Sequence, residues 1–167
     1  MSTEKKQDPL RKVKEQLKTQ FNKAFVDLME SNLKSDKPDW EWISRLYKEI
    51  RDKICNLTPN RKDRITEIHE KMDVDMFYQM VSNNAFNGRS LLDLVEYVFK
   101  HIRELEAPAK NVITDEKLEN LKKVLTHKDT TLGSFIPLFI VTANEKLDDI
   151  YNDKEIFLKI LKEQMKK

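Results

Sequence analysis

Apolar residues recur along this chain at steps of three and four, with charged residues filling the gaps, and almost nowhere do they alternate. That period belongs to helices lying half-buried on a core. Leu10, Val13, Leu17, Phe21, Ala24, Phe25 and Leu28 predict a first helix from Pro9 to Leu33, preceded by a disordered tail over residues 1–8. After the break at Ser35–Pro38, with Pro38 placed in the first helical turn, Ile43, Leu46, Tyr47, Ile50 and Ile54 form the stripe of a second helix. Thr58-Pro59 reads as the cap and first turn of a short third helix, and Asp73 as the cap of a fourth. Ser90 with Asp93 imitates a capping box before the helix Leu91–Leu105, whose wide apolar face (Leu91, Leu94, Val95, Val98, Phe99, Ile102) marks it as central. Pro108 stops that helix, because a proline forces the residue before it into an extended conformation. Thr114 then reads as the cap of the next helix. The most hydrophobic helix is expected over Leu132–Ile150, with Pro137 either in its first turn, if Ser134 is the cap, or at a kink. A last helix is expected to open at Asn152 or Asp153.

These elements amount to an all-α chain: a single compact bundle of seven to eight helices over residues 9–165, with neither repeat nor low-complexity linker. Composition agrees. Of 167 residues 36% are charged, and 2 Gly with 5 Pro leave few turn formers for a sheet protein. A formal net charge of +2 gives no global pull toward nucleic acid. The lone Cys55 suits a reducing compartment, the first residues carry no secretory pattern, and no apolar run nears the ~18 residues of a membrane span. A cytoplasmic protein, not integral to a membrane, is the expectation. Many lysines and asparagines suit an AT-rich coding sequence, such as that of a protist or a large DNA virus.

Candidate chemistry is sparse. His69-Glu70 begins like a zinc-protease helix, but Asp73 stands where the second histidine should be. One cysteine and three scattered histidines do not assemble a metal site. Asp73 and Asp75 are paired carboxylates that helix capping and the helix dipole explain without catalysis. No catalytic residue, cofactor or metal is expected. Binding is the better prospect. Trp40 and Trp42 cannot both be central in one core: either each packs at a helix junction, or a partly exposed Trp42 anchors a partner. Tyr97, which points away from the apolar centre of its helix, either packs on a neighbouring helix or joins such a site. Arg11, Lys12, Lys14 and Lys18, with Lys5, Lys6 and Lys23, make the first helix basic, which suits a solvated face, an anionic membrane or nucleic acid.

A succession of short elements adds to this reading. Leu46-Tyr47-Lys48-Glu49-Ile50-Arg51 and Thr58-Pro59 are followed by Met72-Asp73-Val74-Asp75-Met76-Phe77-Tyr78-Gln79. Then come Leu94-Val95-Glu96-Tyr97-Val98 and Leu105-Glu106-Ala107-Pro108-Ala109-Lys110. In this order and spacing they resemble the t-complex protein 11 family, over roughly residues 20–150. The chain departs from the family pattern at Glu106–Asn111, where a cysteine, an arginine and an acid are lost, and it keeps one glutamine, Gln79, of a usual pair. Leu138 through Asp153 correspond to the start of a long C-terminal region in most members, so the chain reads as a compact divergent member or an N-terminal half. Asp73, Asp75, Gln79, Pro108 and Lys110 are then motif residues with structural roles. The resemblance implies no enzyme. It implies protein contacts in signalling, of the cyclic AMP and protein kinase A type, with the protein partner unidentified. A non-enzymatic interaction module is the expected function, and a membrane or nucleic-acid adaptor working through the basic first helix is the alternative.

Overall fold

The computed structural model describes residues 9–166, so the expected tail over residues 1–8 lies outside the described residues. The chain is all-α. Its helices are α1 (Pro9–Leu33), α2 (Trp40–Asn56), α3 (Lys62–Lys71), α4 (Val74–Ser82), α5 (Gly88–Leu105), α6 (Asn111–Thr126) and α7 (Leu132–Met165). A 3-10 turn, Pro108–Lys110, leads into α6.

The helix starts show local chemistry choosing the boundary. Asp39 caps α2 by accepting from the Trp42 amide at 3.0 Å, which leaves Pro38 outside the helix rather than in its first turn. Asp73 caps α4 as expected, accepting from Met76 N at 3.0 Å. For α5 the cap is Asn87, which accepts from Ser90 N at 2.8 Å, so the helix starts earlier than a Ser90–Asp93 box would have it. Thr131, not Ser134, caps α7: the two residues bond reciprocally, Ser134 N to Thr131 Oγ1 at 3.2 Å and Thr131 N to Ser134 Oγ at 3.0 Å. Pro137 therefore sits inside α7, where it cannot donate to the helical ladder.

Three other expected boundaries fail. Thr58-Pro59 forms a turn (Arg61 N to Thr58 O, 3.1 Å) and α3 begins only at Lys62. Thr114 is no cap; it is buried within α6 and donates to Glu106 at 2.7 Å. No break occurs at Asn152–Asp153, because α7 is one helix of 34 residues. Asparagine and aspartate in mid-helix cost only tenths of a kcal/mol each, too little to end a helix whose neighbours continue the pattern.

A single apolar cluster joins α1, α2, α3, α4, α5, α6 and α7, and α7 is its axis. Buried residues cover most of the circumference of α7 between Phe135 and Ile150, and α1, α2, α5 and α6 all pack on it. The sequence pattern made α5 central; α5 does bury Leu91, Val95, Val98, Phe99 and Ile102, but on one face only. A helix apolar nearly all round takes the middle position because it alone has neighbours on every side.

The first helix brings the largest correction. Its core-facing residues are Phe25, Val26, Met29 and Leu33, and α1 runs antiparallel to α7 through Lys18–Asp149 (3.0 Å) and Asn22–Glu145 (3.0 Å). The regular stripe of Leu10, Val13, Leu17, Phe21, Ala24 and Leu28 is exposed along its whole length.

Candidate protein-binding groove

An apolar recess lies between α2, α3, α4 and α5. Phe77 of α4 stacks on Tyr47 of α2, with ring centroids 4.0 Å apart and planes within 8°, and Phe86 meets Phe77 at 5.9 Å. These rings line one side of a groove of about 330 Å³, whose other apolar walls are Met76, Met80, Leu94 and Tyr97. Met76 is 55% exposed, a flexible thioether at the mouth rather than a packed core residue. The rim carries Glu70, Asp73 and Asp93 with Lys71, and Asp93 pairs with Arg89 at 3.6 Å.

Local sequence explains how Phe86 reaches this position. Asn83 and Asn84 end α4, and Asn84 takes a left-handed conformation at φ 51°. Ala85 N then donates to Met80 O at 2.7 Å and Asn84 N to Val81 O at 3.2 Å, the paired bonds of a Schellman ending. The chain turns back sharply and lays Phe86 over Phe77.

Of the residues expected to bind a partner, Tyr97 lines the groove. Its ring meets His101 edge-on at 4.6 Å, and its hydroxyl donates to Glu67 at 3.5 Å. Burial and the Glu67 charge together push the phenol up to about 12, so it stays protonated. The tryptophans lie elsewhere. Trp42 is half-buried edge-on to Phe25 at 6.0 Å, bridging α2 to α1. Trp40 is half-buried too, beside a shallow depression shared with Pro38, Tyr78 and Ser82. Trp42 thus spends its ring on an internal junction, whose edge-to-face geometry sequence spacing does not reveal.

The motif residues divide by role. Asp73 is both cap and rim, while Asp75 and Gln79 are exposed on α4 outside the groove. Pro108 opens the 3-10 turn, and Lys110 pairs with Asp153 of α7. On the basic helix Arg11 pairs with Glu15 at 3.5 Å and Lys18 with Asp149 at 3.0 Å; Lys12 and Lys14 form no ion pair among the described residues.

Two polar clusters escaped the sequence reading. Glu106, at the end of α5, is buried and accepts from Lys146 of α7 at 3.1 Å and from Thr114 of α6 at 2.7 Å. The Asn111 amide, turned with its nitrogen inward, donates to the second carboxylate oxygen at 2.7 Å. A lysine amid the apolar run of α7 was the available signal. The second cluster sets His101 Nδ1 2.6 Å from Arg64 Nη2. A guanidinium only donates, so Nδ1 must accept and the ring proton sits on Nε2, a buried atom with no partner. Burial and the Arg64 charge both hold the histidine below its ordinary range, so it is neutral at pH 7. Burial likewise pushes the Cys55 thiol up, away from a reactive thiolate.

Comparison with known proteins gives this geometry its context. The family model described as T-complex protein 11 matches residues 3–142, most of the chain. The chain belongs to the T-complex protein 11 family. A human T-complex protein 11 homolog is 30% identical over 106 residues, covering 63% of this chain and 20% of the human protein. The chain thus spans about a fifth of that relative's length. No solved structure matches it. Every groove residue of this T-complex protein 11 family chain falls inside the matched segment, whereas α7 runs on beyond it. Among the described residues no helix is long and apolar enough to cross a membrane.

Proposed function

We propose that this T-complex protein 11 family chain is a non-enzymatic interaction module of the cytoplasm, and that its α2–α3–α4–α5 groove receives an amphipathic helix of a protein partner carrying basic residues beside an apolar stripe. The carrying observation is the combination of a methionine- and aromatic-lined recess with an acidic rim. Methionine walls adapt to an apolar helix face, and aromatic anchors supply most of the energy in such grooves. Glu70, Asp73 and Asp93 would repel an acidic segment and steer a basic one. Family membership supports a regulatory role, with signalling of the cyclic AMP and protein kinase A type as its setting.

The test uses a fluorescent synthetic helix with a leucine–phenylalanine stripe flanked by lysines, and the same stripe flanked by glutamates. Saturable binding of the basic peptide alone is expected. Met80→Asp should weaken it on the order of tenfold or more, with the thermal midpoint reporting whether the fold is kept. Equal binding of both peptides, or none of either, would overturn the assignment.

A further inference from the structure

The exposed stripe of α1 is not a scatter of surface leucines. Leu10, Val13, Leu17, Phe21, Ala24 and Leu28 follow steps of three, four, four, three and four, an eleven-residue period that keeps to one line along a straight helix. That line lies about a third of a turn from the core-facing residues Met29 and Leu33. Leu17, Phe21 and Leu28 are 58%, 70% and 59% exposed. Because α1 and α7 run antiparallel, the start of α1 and the end of α7 project from the same end of the molecule. The end of α7 adds Ile156, Phe157, Ile160 and Leu161, all exposed.

Charge identifies what this surface suits. Along α1 from Arg11 to Lys23 stand Arg11, Lys12, Lys14, Lys18 and Lys23 against Glu15 alone, an excess greater than the net charge of +2 on the whole chain. By helical spacing Lys14 and Lys18 lie on the stripe's flank, while Lys12 and Lys23 lie on the far side of the helix. Lys154, Lys159, Lys162 and Lys166 continue it on α7, against Glu155 and Glu163. Part of the α1 charge is already matched, in the Arg11–Glu15 and Lys18–Asp149 pairs. Lys12, Lys14 and Lys23 form no ion pair among the described residues.

We propose that this end of the molecule binds the surface of an anionic membrane, with the α1 stripe inserted at the headgroup boundary and the lysines on the lipid phosphates. An aliphatic stripe with Lys14 and Lys18 along one edge meets both requirements of interfacial binding: apolar area to bury and charge to hold it there. Lysine stems lie along the apolar boundary while their heads reach the phosphates. Nucleic acid would use the charge but offer nothing to Leu10, Val13 and Leu17, and stacking would have only Phe21. A second copy would set one basic surface against another. This surface is separate from the groove and stands or falls without it.

The experiment is flotation of the full chain with vesicles of mixed phosphatidylserine and phosphatidylcholine, beside vesicles of phosphatidylcholine alone. Binding to the anionic vesicles only, falling steeply with added salt, is expected. The double variant Leu17→Asp, Phe21→Asp should bind at least tenfold more weakly, and the double variant Lys14→Gln, Lys18→Gln roughly thirtyfold. These side chains are exposed, so unchanged melting checks the fold of each variant. Met80→Asp, the groove variant, should float like the native chain. Three results would each overturn the proposal: no anionic binding, unimpaired variants, or a native dimer in sedimentation that Leu17→Asp, Phe21→Asp dissolves.

Discussion

Glu106 and Lys146 are the residues whose placement costs the molecule most. Taking two charges out of water carries a penalty of several kcal/mol per ion, offset only by good geometry and further hydrogen bonds. Here Thr114 and Asn111 supply the further bonds, so α6 and α7 converge on one carboxylate at the end of α5. Removing one partner leaves the other charge buried and alone. Lys146→Met should therefore lower stability by about 3–5 kcal/mol, read as a drop in the urea midpoint. The double change Lys146→Met, Glu106→Gln should recover much of that loss. If Lys146→Met alone is neutral, the pair is not desolvated as described. At the same scale, sequence predicted the Asp73 cap because a cap acts within one helical turn. It missed the Glu106 cluster because those partners are brought together only by folding.

Among the elements, α4 and its ending do the most to shape the groove. Asn84 accepts a backbone conformation that costs most side chains about 1–2 kcal/mol, and this lets the chain place Phe86 over Phe77. Asn84→Gly should leave stability unchanged or slightly raised, whereas Asn84→Val should lower it by about 1–2 kcal/mol and loosen peptide binding in the groove. Calorimetry and the peptide titration read the two effects separately; a stable, tightly binding Asn84→Val chain would refute this account of the turn. The same scale shows why periodicity misled on α1. A stripe at helical spacing identifies a helix, but it does not say which face the core receives. The core took Phe25, Val26, Met29 and Leu33, a less regular set, because α7 and α2 approach from that side.

In the whole molecule, one apolar cluster spans α1 to α7 while the start of α1 and the end of α7 reach past it. Unfolding of the cluster should be a single cooperative transition, seen alike by far-ultraviolet dichroism and by the fluorescence of Trp40 and Trp42. Residues 9–21 and 152–165 are exposed throughout, so their amides should exchange with solvent far sooner than those of Phe135–Ile150. Two separated melting transitions, or equal protection of the projecting ends, would contradict this division. The groove and the basic end then form two distinct surfaces, one acidic at its rim and one basic, each suited to a different partner.

By itself the sequence determined the all-α class, the family, most helix positions and, among the caps, Asp73. All of these rest on interactions between residues close in the chain or on patterns that survive without coordinates. Tertiary structure alone decided which face of α1 meets the core, that α7 is the axis, that Trp42 is spent internally, and that Tyr47, Phe77, Met80 and Tyr97 line one groove. Those outcomes depend on the directions from which distant helices approach, and helical spacing carries no record of direction.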